Sequence, residues 1–191
     1  PEDALWHGTV PSFADLQKGL GVTKIEKRSD LRTAVAKRVG KRRVRTVAIA
    51  DPRATAKATA ITGESLDFHS AAKVADADLL VAIAKLRNHK EPDELAEIRL
   101  AAAVTREAHT VAMARTRAGI YEQELVGHVE GTFARHGCVP AYNTILSVRG
   151  EVLHNHAHDN LLMETDIVLL DAGAERASGY CADRSEERRV G

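Results

Sequence analysis

The sequence predicts an α+β chain: a small α/β domain in front, then two long helices packed on one face of an antiparallel sheet. Three observations carry that expectation. Short helical and strand-like stretches alternate up to about residue 85, and helical periodicity then holds from about Ala77 to His136. Strand-type runs follow, so the second part has the order helix, helix, strand, strand, strand. The last run ends in Asp171, and a second aspartate, Asp183, lies beyond a Gly- and Ser-containing reversal over 172–179.

Each element has a local reason. Ser12 can N-cap a helix that runs to Leu20, with Gly19 and Gly21 at its end. Ser29 or Asp30 can cap a second helix carrying Leu31, Val35 and Val39, which Gly40 stops. Residues 44–50 are a strand candidate ended by the turn pair Asp51-Pro52. The basic run Lys37, Arg38, Lys41, Arg42, Arg43, Arg45 reads as a solvated helix end entering that strand. Cations are favoured at a helix C-terminus, and no aromatics interleave the run as a nucleic-acid surface would require.

Pro92 suits the first position of a long helix, with Asp93, Glu94 and Glu97 in its opening turns and Arg115 and Arg117 at its close. Leu95, Ile98, Ala102 and residues 105–109 keep helical spacing on one face, and Gly119 ends the helix. A further helix over 121–136 sets Leu125, Val129 and Phe133 four apart and stops at Gly137. Strands are expected over 144–149, 152–154 and 167–171.

Composition narrows the function. Lys+Arg and Asp+Glu number 27 each in 191 residues, and this zero net charge gives no field for nucleic acid or a membrane surface. Neither is expected as a partner. Two cysteines, Cys138 and Cys181, make no disulfide framework, and no signal peptide or apolar span stands out, so the cytoplasm is the expected location. A start at Pro1 leads to the expectation that sequence precedes it.

The chemistry centres on the aspartates. Asp171 closes the apolar run Ile167-Val168-Leu169-Leu170, which places a carboxylate at the mouth of a buried strand. A charge there requires a partner. Two such carboxylates brought together by a hairpin require a cation between them, and hard divalent metals suit oxygen ligands. His154, His156 and His158 form an H-x-H-x-H run, which on an extended strand would put three metal-ligand-type side chains on one face. The alternative is a loop marked by Asn155, Asp159 and Asn160, with the histidines solvated or bonded to backbone. His69, His89, His109, His128 and His136 are scattered and read as ordinary helix and loop residues. No G-x-S-x-G, phosphate-binding glycine loop or C-x-x-C is present, and neither cysteine has an evident base.

Leu153-His154, the segment 167–175 with its Asp171-Ala172-Gly173, and Gly179-Tyr180-Cys181-Ala182-Asp183 together resemble the pita-bread metallopeptidases, most of all aminopeptidase P and prolidase. Residues 86–98 are similar to the linker and first catalytic-domain helix of that family, and Leu5-Trp6-His7-Gly8 to part of its N-terminal domain. The resemblance implies a creatinase/aminopeptidase P-type domain over 1–86 and the first half of a pita-bread domain over 87–183. It implies that Asp171 and Asp183 are the first two ligands of a site for two divalent metal ions, manganese foremost. It makes His154 a catalytic, substrate-binding residue beside the metals, and leaves His156 and His158 without an assigned role. A histidine and two glutamates that complete the family's site have no counterpart here. The implied reaction is metal-assisted hydrolysis of peptides with proline in second position, and the full-length parent is expected to form homo-oligomers.

After Asp183 the family continues with an apolar residue, Thr and Arg, whereas here residues 184–191 carry five charges in eight positions. Such a stretch is not expected to form a buried strand. It resembles the translation of a common sequencing adapter, which predicts a non-native tail over 184–191, the alternative being a natural charged tail; the incomplete ligand set predicts an inactive fragment. A non-catalytic pita-bread module is the alternative function; retention of both aspartates argues against it. Creatinase-like members lack the metal carboxylates, and methionine aminopeptidases usually lack a comparable front domain. A plain histidine-run metal binder would depend on His156 and His158 rather than on Asp171.

Overall fold

The computed structural model describes residues 2–26, 29, 31–71 and 73–190. The chain divides into two compact units, Pro1–Asn88 and His89–Gly191.

The first unit holds α1 (Glu2–His7), α2 (Phe13–Leu20), α3 (Leu31–Val39), α4 (Pro52–Thr62) and α5 (Ala77–Asn88). Ser12 caps α2 as expected: its hydroxyl accepts from the Asp15 amide at 3.2 Å, and the Asp15 carboxylate accepts from the Ser12 amide at 3.1 Å. Gly21 closes that helix at φ 64°, a conformation that favours glycine. Gly40 follows α3 at φ 60°; of its two expected caps, Asp30 lies outside the described residues. The strand expected over 44–50 is reduced to a single bridge between Val47 and Ala75. Asp51-Pro52, read as a turn, is instead the start of α4: the Asp51 carboxylate accepts from the Arg53 amide at 2.8 Å and Pro52 fills the first turn. Arg43 and Arg45 of the basic run pair with Glu64 at 2.5 Å and Asp76 at 2.8 Å, and Arg42 donates to the Arg38 carbonyl at the end of α3. Ala48 and Ala75 are the buried apolar side chains described in this unit, so its core is slight.

The second unit is built on α6 (Pro92–Arg115) and α7 (Glu122–Arg135), which pack together. Five strands follow: β1 (Val139–Pro140), β2 (Ile145–Ser147), β3 (Ile167–Asp171), β4 (Ala174–Glu175) and β5 (Ser185–Arg189). They form an antiparallel sheet in the order β2-β3-β5 and a two-stranded pair β1-β4. The helices lie against these strands, the α+β arrangement expected. α6 turns Ala101, Val104, Thr105, Ala108, His109 and Ala112 inward. Leu95 and Ala102, expected on that face, are exposed, because the buried stripe runs through Ala101 and Val104 instead. Leu125, Val129 and Phe133 of α7 meet Leu146, Leu162, Val168 and Leu170 in the main core. Residues 152–154 are a turn and loop rather than a strand.

The charged stretch after Asp183 forms an exposed edge strand and not a buried one. β5 lies on β3 in the register Asp171↔Ser185 to Ile167↔Arg189, with mostly exposed side chains, while Val190 enters the core at 1% exposure. An edge strand has a free flank for charges that a buried strand could not hold.

Two bonds tie α6 to the strand end that carries Asp171. His109 Nε2–H donates to the Ala172 carbonyl at 3.1 Å, and the Thr105 hydroxyl accepts from the Ala174 amide at 3.0 Å. His109 is fully buried, and its Nδ1 has no partner. Burial holds its imidazole below the ordinary histidine range, against the opposing effect of the Ala172 bond.

Two outcomes are expected. Phe133→Ala should cost about 3–5 kcal/mol in urea unfolding, because it empties a fully buried site. Met163→Ala, at 56% exposure, should stay within about 0.5 kcal/mol. The second outcome concerns pH. The folded chain disfavours the His109 imidazolium, whereas the unfolded chain takes up that proton near pH ~6.5. This contribution to stability is complete above that pH and is lost as the pH falls below it toward the lowered folded value. Urea midpoints measured from pH 7.5 down to 5 should therefore fall more steeply for the native chain than for His109→Gln.

Candidate active-site cleft

Asp171 is the last residue of β3, and Ser185 stands opposite it in β5. Asp183, two residues before Ser185, is diagonal to Asp171 on the same face of the hairpin. The hairpin is pinned by Ala172 N–H to the Arg184 carbonyl at 3.0 Å and Ala182 N–H to the Ala174 carbonyl at 3.1 Å. It turns through Gly179 at φ 80°.

Both carboxylates converge on one atom. The Tyr142 hydroxyl, from the loop between β1 and β2, lies 2.5 Å from Asp171 Oδ1 and 2.8 Å from Asp183 Oδ1. The Ser185 hydroxyl donates to the other oxygen of Asp171 at 2.7 Å. Burial first, then the two carboxylates beside it, drives the Tyr142 phenol far above the ordinary tyrosine range.

Gly173 allows the convergence. A Cβ there would fall 1.8 Å from the Ala182 carbonyl oxygen and 3.2 Å from Tyr142 Cε1. The returning chain and the phenol ring occupy the space a side chain would take.

Tyr142, Asp171, Asp183, Asn143, Ile145, His154 and His156 line one open cleft. The expected trio of Asp171, Asp183 and His154 is therefore brought together, with His156 beside it. Of the two readings of the histidine run, the loop marked by Asn155, Asp159 and Asn160 is the one found. The histidines sit in the loop after β2, and His158 is turned back, its Nδ1–H donating to the Leu146 carbonyl at 3.0 Å. Sequence reading missed Tyr142, since nothing in its spacing marks it. It also missed the steric role of Gly173, for which a glycine between two apposed strands was the available signal.

The donor chemistry suits a hard cation. One phenolic hydrogen faces two carboxylate oxygens, so the cluster has more acceptors than protons, and all of its donor atoms toward a metal would be oxygen. Among the described residues no group of three or more His, Cys, Asp or Glu side chains is placed to hold a metal ion. None of the described helices is long and apolar enough to cross a membrane.

Residues 96–186 match the model of metallopeptidase family M24. That match covers just under half of the chain. The chain as a whole resembles Xaa-Pro aminopeptidases. It is 39% identical over 102 residues to the Xaa-Pro aminopeptidase of Escherichia coli strain K12, covering 52% of this chain and 23% of that one. It is 27% identical over 202 residues to a probable Xaa-Pro aminopeptidase of Aspergillus fumigatus, covering all of this chain and 41% of that one. A variant of Escherichia coli aminopeptidase P in complex with substrate superposes with a TM-score of 0.81 at 26% identity, over 99% of this chain and 44% of that one. The fold is thus that of aminopeptidase P, and the chain spans less than half the length of these relatives.

Gly173→Ala should destabilise the chain by about 1–3 kcal/mol or more in urea unfolding, since the Ala182 carbonyl that it would strike is backbone and cannot step aside. The ring signals of Tyr142 should move with it. Unchanged stability and unchanged tyrosine signals would show that the approach at Gly173 is looser than described.

Proposed function

We propose that this chain carries part of a metal-dependent Xaa-Pro aminopeptidase, with Asp171 and Asp183 as two of the ligands of a divalent metal centre, manganese foremost. The observation that supports this reading most is the convergence of both carboxylates on Tyr142 in a cleft that His154 also lines. When bound, such cations supply Lewis acidity toward a carbonyl and toward water.

The chain's own groups act around that centre. Asp171 is held in one orientation by Ser185 and Tyr142, and Asp183 is fixed by its place in the hairpin. The Tyr142 hydroxyl faces one oxygen of each carboxylate, and burial together with those carboxylates favours its protonated form. His154, exposed on the cleft wall, can meet a peptide group without itself being a ligand. The substrate is a peptide with proline in second position, cleaved after its first residue. With two carboxylates and, among the described residues, no group of three or more His, Cys, Asp or Glu side chains placed to hold a metal ion, the chain alone is expected to be inactive.

A chimera tests this. Residues 1–183 would be joined to the remainder of the Escherichia coli Xaa-Pro aminopeptidase and assayed on an Xaa-Pro peptide with manganese. Metal-dependent release of the first residue is expected, falling by roughly three orders of magnitude in Asp171→Asn or Asp183→Asn, a loss of several kcal/mol. His154→Ala should lower turnover while leaving metal content intact. A well-folded chimera without turnover, or turnover indifferent to the aspartates, would contradict the reading, as would turnover by the 191-residue chain itself.

A further inference from the structure

We propose that Glu122 is a positioning residue that ties both ends of the histidine loop, residues 148–160, and so sets where His154 and His156 enter the cleft. Glu122 opens α7 and is 0% exposed. Its carboxylate partners are neutral N–H groups. One oxygen accepts from the Val148 amide at 2.7 Å and from Asn160 Nδ2 at 3.1 Å. The other accepts from Asn160 Nδ2 at 3.0 Å and from the Asn160 amide at 3.4 Å. A buried carboxylate bonded to no cation is costly, and it persists only where its oxygens are well supplied with donors.

Those donors come from the two ends of one loop. Val148 follows β2 directly, and Asn160 is where the chain returns to α7. Backbone bonds extend the same seam: Glu122 N–H to the Asn160 carbonyl at 3.0 Å, Gln123 N–H to the His158 carbonyl at 2.9 Å, and Leu162 N–H to the Ile120 carbonyl at 2.9 Å. Inside the loop, Asn155 Nδ2 donates to the Ser147 hydroxyl at 3.2 Å, and His158 is bound to the Leu146 carbonyl. Asn155 and His158 are thereby held by the β2 strand, while His154 and His156 are the histidines that line the cleft. The loop has no regular secondary structure of its own, so side-chain and seam bonds are what define its path.

The chemistry requires a carboxylate. Both oxygens of Glu122 act as acceptors, so an amide of the same shape would turn a donor toward Val148 N–H or toward the Asn160 amide group. Glu122→Gln should therefore keep the packing and break the tie. Adding Asn160→Asp to that variant restores the side-chain complementarity, because the amide introduced at position 122 can donate to the carboxylate introduced at position 160 and accept from Val148 N–H, leaving unmade the long 3.4 Å bond from the backbone amide of residue 160. Asn160→Asp alone faces one carboxylate with another and should also loosen the loop.

Residue-resolved amide hydrogen exchange by NMR on the whole chain tests this. In Glu122→Gln, the amides of Val148, Gln123 and Ala157 should exchange about tenfold faster or more, and the ring signals of His154 and His156 should shift, while the Ala108 and Phe133 amides keep their protection. The double variant with Asn160→Asp should recover both the protection and the ring signals. Unchanged exchange in Glu122→Gln would overturn the proposal. So would an even loss across α6 and α7, or a double variant that is unfolded or no better protected than the single one. The delivery of His154 to a peptide rests on the peptidase reading above. The exchange result does not use activity, so its failure would bear on Glu122 and leave that reading standing.

Discussion

The close approach at Gly173 is the constraint on which the cleft depends. α6 grips the chain on both sides of that residue, through His109 to the Ala172 carbonyl and through Thr105 to the Ala174 amide. With the strand end fixed from below, the returning chain can pass over Gly173 close enough to bring Asp183 beside Asp171. The Tyr142 ring closes the third side. A buried helix face, a missing side chain and a phenol thus position two carboxylates that would otherwise repel. The orphaned Nδ1 of His109 is part of the same arrangement, since the imidazole is buried in order to reach a backbone carbonyl.

The two halves of the cleft wall are held in different ways. Asp171 and Asp183 stand on paired backbone, where ladder bonds and register fix them within a sheet. His154 and His156 stand on a loop whose path is written in side-chain bonds, chiefly those of Glu122, Asn155 and His158. This division suits a site in which rigid oxygen donors face a cation and an adaptable edge faces a peptide.

Much of this was legible in the sequence where the signal is local. Ser12, Gly21, Pro92 and Gly137 mark helix ends because capping is decided within a few residues, and all of them fall where expected. The apolar run 167–170 ending in Asp171 gave β3 its bounds. Errors arose where distant residues decide. Residues 44–50 have strand composition but find only one bridge, and Asp51-Pro52 reads equally as a turn or as a capped helix start. Residues 152–154, read as a short strand, lie in the loop that Asn155, Asp159 and Asn160 mark, and the Glu122 carboxylate, far off in sequence, bonds the end of that loop at Asn160. Tyr142 carries no pattern at all; only the fold brings it to the aspartates. The charged segment 185–189, read as unsuited to a buried strand, pairs with β3 as an edge strand whose side chains stay mostly in solvent.

NMR of the ring Cζ of Tyr142, in chain labelled with 13C-tyrosine and followed through alkaline pH, reads whether this phenol is clamped between Asp171 and Asp183. Tyr142 should remain a phenol through the ordinary tyrosine range near pH ~10, and should ionise more readily once Asp171 and Asp183 are both replaced by asparagine. Ionisation of Tyr142 at the ordinary value, unmoved by those substitutions, would contradict the clamp.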